Sequence, residues 1–343
     1  MTKKGNTWMW RLLAGVLLVV AVICGSKAWR WLADNKLPNV RSAAELYVYP
    51  YTTPDDVLAA LDTVVSRPGS LKRTFEEHKV SEYITPGHYS IEKGKTSVYI
   101  ARMLNNGWQT PVKLRIPAVR LKSSLARSVS SQMMVDSATV AAALEDAALL
   151  GKFGFTPATA FSLFIPDTYE MYWTDSMEEI LARQKKAWDA FWTPENKAKA
   201  KAIGLTPLQV SILASIVKGE SNLPKDYPKL AGVYLNRLRK GMKLQACPTV
   251  AYLLNYETTR ILNKDLQIDS PYNTYKYAGL PPGPISVPGK EYLNAVLNPD
   301  TANGYLFFCA SPEFDGSHRF ARTFAEHSRN SRDYQRALAE RGK

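Results

Sequence analysis

LTPLQVSILASIVKGESNLPKDYPKLAGVYLNRLRKGMKL, residues Leu205–Leu244, reads as two short helices joined by a polar loop, with Glu220 at the seam. Thr206 is a good N-cap, Pro207 suits a first turn, and Gln209, three residues after the cap, completes a capping box. Leu208, Ile212, Leu213, Ile216 and Val217 recur at helical spacing, which turns one face toward a core. Gly219 is the residue type expected at a left-handed helix stop, so the pattern predicts that Glu220 follows the helix end. Unpaired carbonyls there carry partial negative charge, and that field together with partial burial raises a carboxyl pKa. A protonated carboxyl is what general acid catalysis needs. A solvated glutamate at a helix end is the competing reading of the position taken alone. On the second helix Leu230, Val233, Tyr234 and Leu238 form an apolar stripe that Gly241 ends, with Asn236 and Arg237 on the polar side.

Beyond this pair, Gln245 and Thr249 flank a turn and Val250–Leu254 continues as helix. SPYNTY, residues Ser270–Tyr275, gathers hydroxyls, an amide and two aromatic rings. Such a cluster suits sugar binding, yet Pro271 and Asn273 equally mark an ordinary turn. Gly279–Gly289 is dense in proline and glycine and reads as a rigid loop forming a cleft wall. Glu291–Leu297 is expected as helix, Tyr305–Ala310 as a buried strand, and Phe314–Phe320 as a turn into a last edge segment. Upstream, Ser176–Phe191 and Thr193–Ile203 are expected as packing helices broken at Pro194.

Four stretches, ASIVKGES, AGVYLNRLRKGMKLQACPTV, SPYNTYKYAGLPPGPISVPG and FARTFAEHSRN, closely resemble in this order the endolytic murein transglycosylase (YceG-like) family. The resemblance runs from about Tyr47 to the C-terminus and is strongest over Leu205–Asn330, and four ordered motifs are far more specific than one. In the family the helix usually ends ASIVEKET and its second glutamate is catalytic. That glutamate maps onto Glu220, while Lys218 stands where the first would be. The family's Leu-Gln-x-Asp-Pro-Thr-Val carries Cys247 in place of its Asp. FSLFIPDTYEMY, Phe161–Tyr172, resembles an element at the entrance to the catalytic domain, where Asp167, Thr168 and Tyr169 read as a turn. That turn either presents a polar face to the site or is purely structural. Expected substrate contacts are Asn236, Gln245, Ser270, Tyr272, Asn273, Thr274, Tyr275 and Glu326; Glu326 with His327 matches a Glu-His pair that equally suits a structural hydrogen bond. The resemblance implies a lytic transglycosylase that cuts peptidoglycan glycan strands to 1,6-anhydromuramyl ends, with peptidoglycan synthases as neighbours.

The expected fold class is α+β: an anchor over residues 1–35, a LysM-like α+β region over 36–155, and a catalytic domain over 156–343. Lys3, Lys4 and Arg11 precede Leu12–Ser26, an uncharged run of 15 residues, and Lys27 and Arg30 follow it. That is shorter than the ~20 residues of a usual span, but Trp8, Trp10, Trp29 and Trp31 suit the two interfaces, and Arg11 and Lys27 can snorkel. Ser26-Lys27-Ala28 is a poor signal-peptidase site and Cys24 a poor lipidation site, which favours a retained single-pass anchor over a cleaved signal peptide. By the resemblance, the chain sits in the inner membrane with its catalytic domain outside. In the middle region Glu45–Tyr51 and Gly87–Ile91 read as strands, and Thr53–Val65 and Thr96–Asn106 as helices, the latter stopped at Gly107. Pro111–Ile116 and Leu121–Met133 repeat the strand-helix plan, and His78 and His88 read as surface or structural groups.

With 44 Lys+Arg against 31 Asp+Glu the 343-residue chain carries +13, which favours anionic surfaces. No basic helix, zinc-finger spacing or RNA-binding aromatic motif accompanies that charge, so nucleic acid is not an expected partner. The sequence has no HExxH, CxxC or Gly-rich phosphate loop, and neither a metal nor a cofactor is expected. Cys247 and Cys309 would lie in an oxidising compartment, where a bridge between them is one option. Two other function classes fit parts of the sequence. Ser215-Ile-Val-Lys218 with Ser328-Arg-Asn330 mimics a serine acyltransferase, although no K-T-G follows. The departures at Lys218 and Cys247 would also suit a wall-binding scaffold without activity.

Overall fold

A computed structural model describes residues 7–258 and 260–342, so Lys3 and Lys4 lie outside the described residues. The architecture is mixed α and β, with short two-stranded sheets set among helices. Two compact units divide the chain, Met1–Val112 with Tyr172–Thr174, and Lys113–Met171 with Asp175–Lys343.

The first unit begins with α1 (Thr7–Asn35), which from Trp8 to Asn35 is long and apolar enough to cross a membrane, its most apolar 18-residue stretch having a mean hydropathy of 2.1. At 1.5 Å per residue these 28 residues extend about 42 Å. The 15-residue apolar run is therefore embedded in a longer helix, the tryptophans near its two ends. Ala33 and Asp34 at the end of α1 are buried, and the Asp34 carboxylate meets the Arg73 guanidinium at 2.7 Å. β1 (Ala44–Val48), α2 (Pro54–Leu61), α3 (Pro68–Glu77), α4 (Val80–Tyr83), β2 (Gly87–Ile91) and α5 (Ser97–Asn105) complete the unit. β1 and β2 pair antiparallel with Leu46 opposite Tyr89. Thr53 and Asp56 form a capping box on α2, and Gly107, at φ +61°, stops the chain after α5. Val48, Val57, Leu61, Leu71, Phe75, Ile91 and Leu104 fill the core between sheet and helices. His88 is a structural group: Nε2 lies 2.6 Å from the Glu45 carboxylate and Nδ1 2.9 Å from the Thr110 carbonyl.

The second unit opens with β3 (Val112–Ile116), α6 (Lys122–Ser130), α7 (Ser137–Ala143), α8 (Ala147–Gly151) and α9 (Ala160–Leu163), and β4 (Asp167–Met171) pairs with β3. Asp167 thus begins a strand rather than a turn, and its carboxylate takes the Lys290 ammonium at 2.6 Å. α10 (Met177–Phe191) and α11 (Pro194–Ala202) follow, capped by Ser176 and Thr193. α12 (Pro207–Glu220) carries the expected Thr206–Gln209 capping box, and α13 (Tyr227–Arg239) is reached through a 3-10 turn at Pro224–Asp226. α14 (Cys247–Leu253), α15 (Lys290–Leu297), β5 (Phe307–Ala310), β6 (His318–Ala321) and α16 (Phe324–Arg341) end the chain. α12, α13 and α15 pack on one another through Leu213, Ile216, Leu230, Val233, Leu293 and Val296, all fully buried. β5 is half-buried and not a core strand, because among the described residues it pairs only with β6. The closing helix α16 is absent from the sequence expectation, although Thr323 and Glu326 spell a capping box at its start.

Candidate functional site

Glu220 is the last residue of α12, and Ser221 turns the backbone to an extended conformation. Gly219 is not the left-handed stop expected from its type: it lies within the helix and has no positive φ. Its glycine identity has a packing cause. A Cβ there would collide with the Pro248 ring at the start of α14. That close approach of α14 brings Pro248 and Cys247 beside Glu220.

From α13, Tyr234 donates its hydroxyl to Oε1 of Glu220. Sequence periodicity marks Tyr234 as a core residue, and it is indeed buried, but a buried phenol needs a partner and finds it in this carboxyl group. Three residues on, Arg237 is buried too, against the expectation of a polar face. Its Nε donates to the Leu306 carbonyl at 2.7 Å and Nη1 to the Leu244 carbonyl at 2.7 Å. Burial pushes the Glu220 carboxyl up to about 7, while the Tyr234 hydrogen bond and the Arg237 charge pull it the other way. The dominant cause is loss of water, so the group is largely protonated below neutrality.

Glu220 opens on a cavity of ≈ 230 Å³ lined by Arg120, Cys247, Pro248, Tyr256 and Arg260 among others. It is the one carboxyl among the described residues lining that cavity. Other acids are engaged elsewhere. Asp226 accepts from the His318 backbone and ring, and Asp269 holds Lys276 and Tyr277. The Cys247 thiol lies 3.0 Å from the Tyr275 hydroxyl. Cys247 and Cys309 are both free thiols, so no bridge joins them.

The remaining residues singled out from sequence divide into two groups. The Tyr275 hydroxyl meets Cys247 of the cavity wall, and Tyr272 packs against Tyr252 with the rings tilted and their centroids 4.9 Å apart. Gln245 is exposed at φ +53°, Ser270 accepts from the Tyr272 amide, and the Asn236 amide donates to the Tyr305 carbonyl at 3.0 Å. Asn273 and Thr274, expected as sugar contacts, are buried and hold the loop together instead. Asn273 Nδ2 donates to the carbonyls of Leu266 and Ile268, and Thr274 Oγ1 accepts from the Ala246 amide. Glu326 caps α16, its carboxylate accepting from the Arg322 and Thr323 amides, a structural bond of the kind that the Glu-His pair equally suits. Arg120, Tyr256 and Arg260 line the cavity without having been singled out. They are scattered in sequence, and only the fold gathers them.

The acyltransferase reading fails on geometry. Ser215 is fully buried; its hydroxyl donates to the Ile212 carbonyl at 2.7 Å and accepts from the Ile285 amide at 3.0 Å. Lys218 points its ammonium at the carbonyls of Ala118 and Val287, 2.7 and 2.8 Å away, and burial pushes its pKa down to about 8. Nothing activates the serine.

The profile of the YceG-like family matches residues 46–333. An endolytic murein transglycosylase of Bacillus subtilis is 37% identical over 170 residues, covering 49% of this chain and 46% of that protein. One of the same name from Streptococcus pneumoniae strain D39 is 23% identical over 351 residues, 92% of this chain and 63% of that protein. The chain therefore spans from about half to just under two thirds of the length of these curated relatives. A crystal structure of a YceG-like protein from Listeria monocytogenes superposes with a TM-score of 0.54 at 25% identity, covering 84% of this chain and 99% of that one.

Proposed function

This chain belongs to the YceG-like family, and we propose that it is a membrane-anchored endolytic lytic transglycosylase of peptidoglycan with Glu220 as its single acid–base catalyst. The observation that carries this reading is the lone, largely dehydrated carboxyl in the cavity, with its pKa near 7. Hydrolytic glycosidases of the common kind need two carboxyl groups. A lytic transglycosylase needs one, because its nucleophile is the substrate's own 6-hydroxyl.

With Oε1 accepting from Tyr234, the proton of neutral Glu220 sits on Oε2. It passes to the glycosidic oxygen between N-acetylmuramic acid and N-acetylglucosamine as that bond breaks. The acetamido oxygen of the muramyl residue steadies the oxocarbenium-like centre. Glutamate, now ionised and held by the Tyr234 hydroxyl, takes the proton of the muramyl 6-hydroxyl as its oxygen closes onto C1. The carboxyl is reprotonated at the end of the cycle, and the product carries a 1,6-anhydromuramyl end. Tethering of the 6-hydroxyl supplies the proximity that a free water would lack. Mass spectrometry of the released fragments tests the reading: ends one water lighter than hydrolytic products support it. Reducing ends would overturn it, and absence of any cleavage would favour a wall-binding scaffold.

Tyr234 tunes the acid in this scheme. A donor to the carboxylate favours its ionised form, so Tyr234→Phe raises the Glu220 pKa further. For the parent, kcat/KM should fall as pH rises through about 7, where the required proton is lost. In Tyr234→Phe that alkaline limb should move to higher pH, with a lower plateau because the ionised intermediate loses its donor. A pH profile with an unmoved limb would remove Tyr234 from this role.

Apolar length and flanking tryptophans support α1 as a retained anchor that holds the rest of the chain outside the cytoplasm, near synthases that make the nascent strand. The full-length protein should stay with membranes through a high-salt wash. Recovery of a soluble form beginning near Ala28 would show a cleaved signal peptide instead.

A further inference from the structure

The cavity beside Glu220 carries positive charge that the reaction does not use. Arg120 and Arg260 both line it, both are exposed, and neither forms an ion pair with a carboxylate among the described residues. Arg120 is held in place: its guanidinium lies 5.3 Å from the centroid of the Tyr256 ring. Tyr256 in turn is fixed by its hydroxyl, which donates to the Ile285 carbonyl at 2.8 Å. Its backbone, like that of Asn255, is left-handed, at φ +56° and +52°. A bulky residue keeps that conformation only where surrounding contacts impose it, and such strain gathers at functional sites. Lys218 adds to the field from behind, close enough for Arg120 to help lower its pKa, with Glu291 the acid within range of it. A wall that gathers like charges is costly until an anion arrives.

The sugars of a glycan strand supply no such anion. Both are N-acetylated, and the lactyl carboxyl of a muramyl residue is tied up in the amide to its peptide stem. The nearest anionic groups are the free carboxylates of the stem itself. Resting on the transglycosylase reading of this cavity, we propose that Arg120 and Arg260 form a clamp for a stem-peptide carboxylate on the muramyl residue cut at Glu220, and that they make the enzyme select strands with free-acid stems. Guanidinium groups suit this task because each offers two parallel N–H donors to a carboxylate.

Uncross-linked strands of one length, prepared in three forms, test the clamp: stems with free carboxylates, the same stems as carboxamides, and strands stripped of stems so that the lactyl carboxylate is free. The parent protein should show kcat/KM about 10-fold or more higher on free-acid than on carboxamide stems, the effect of charge-assisted hydrogen bonds. In the double variant Arg120→Gln/Arg260→Gln that ratio should fall to near one, through loss of rate on the free-acid strands. Lys at both positions should restore part of it. Both side chains are exposed, so circular dichroism should find the variants folded. A parent that does not discriminate, or a double variant with its ratio intact, overturns the clamp while leaving the reaction standing. Preference for the stripped strands moves recognition to the lactyl carboxylate and overturns the stem assignment. Failure of the parent to release anhydromuramyl ends from any of the three overturns the transglycosylase reading beneath it.

Discussion

Glu220→Gln should lower the release of anhydromuramyl ends by at least ~10²–10⁴-fold, the typical contribution of a general acid–base group, and should at the same time stabilise the protein at alkaline pH. Glutamine keeps the volume and can still accept from Tyr234, but it cannot exchange a proton. Both half-reactions need that exchange, which places the loss at the upper end of the range or beyond. The stability effect follows from the same burial. In the folded chain burial pushes the carboxyl up to about 7, above the 4.5 of an ordinary glutamate. A raised carboxyl pKa means that folding favours the protonated form. The parent's stability is therefore complete below about 4.5 and is lost as pH rises through 7, by about 3 kcal/mol once Glu220 is fully ionised. The variant carries no charge at any pH and escapes that loss. Thermal or urea unfolding of parent and variant should coincide near pH 4 and separate by pH 8 to 9, the variant the more stable. An inactive variant that is less stable at pH 8 would mean that the carboxylate is a structural partner rather than a dehydrated acid. Full activity would remove Glu220 from the mechanism.

The same residue shows what could and could not be read from the sequence. The helix before Glu220 was legible because Thr206, Pro207, Gln209 and the apolar spacing all act within a few residues of one another. Its end was not. Gly219 has two possible causes, a left-handed stop or a close approach, and the second depends on Pro248, 29 positions away. Arg237 was expected on a polar face because arginine is rarely buried. Here three carbonyls from later segments, those of Leu306, Leu244 and Lys243, receive its donors. Asn273 and Thr274 show the converse error. A polar cluster in a loop looks available to a ligand, but loops that leave the helix and sheet ladders must satisfy their own backbone groups, and these two side chains do so. Family motifs pointed to Glu220, whereas the cations lining its cavity needed the fold.

Gly232→Ala is expected to destabilise the second unit by ~1 kcal/mol or more, although alanine is the better helix former. Gly232 lies in the middle of α13, where glycine costs roughly 1 kcal/mol relative to alanine. By helix propensity alone the substitution should therefore help. Packing reverses the sign. A Cβ on Gly232 would fall inside the van der Waals envelope of the Asp300 carbonyl, a backbone group that cannot swing aside. The Asp300 amide is itself tied to the Pro228 carbonyl in the first turn of α13 at 2.9 Å, so the 299–301 segment is clipped to the helix surface. Overpacking against such a fixed neighbour typically costs 1–3 kcal/mol and sometimes more. Gly151→Ala supplies the contrast within the same unit. It is also helical, its added Cβ meets nothing within 4 Å, and it should be neutral or stabilising by less than ~1 kcal/mol. Urea unfolding of the two variants beside the parent should thus give opposite or clearly unequal shifts. The consequence reaches the site because α13 carries Tyr234 two residues further along. Moving the helix off the 299–301 segment shifts the phenol that orients Glu220, so activity in Gly232→Ala should fall at temperatures where the variant is still folded. Equal stability of the two alanine variants would show that the segment yields, and that the glycine in α13 answers to something other than this contact.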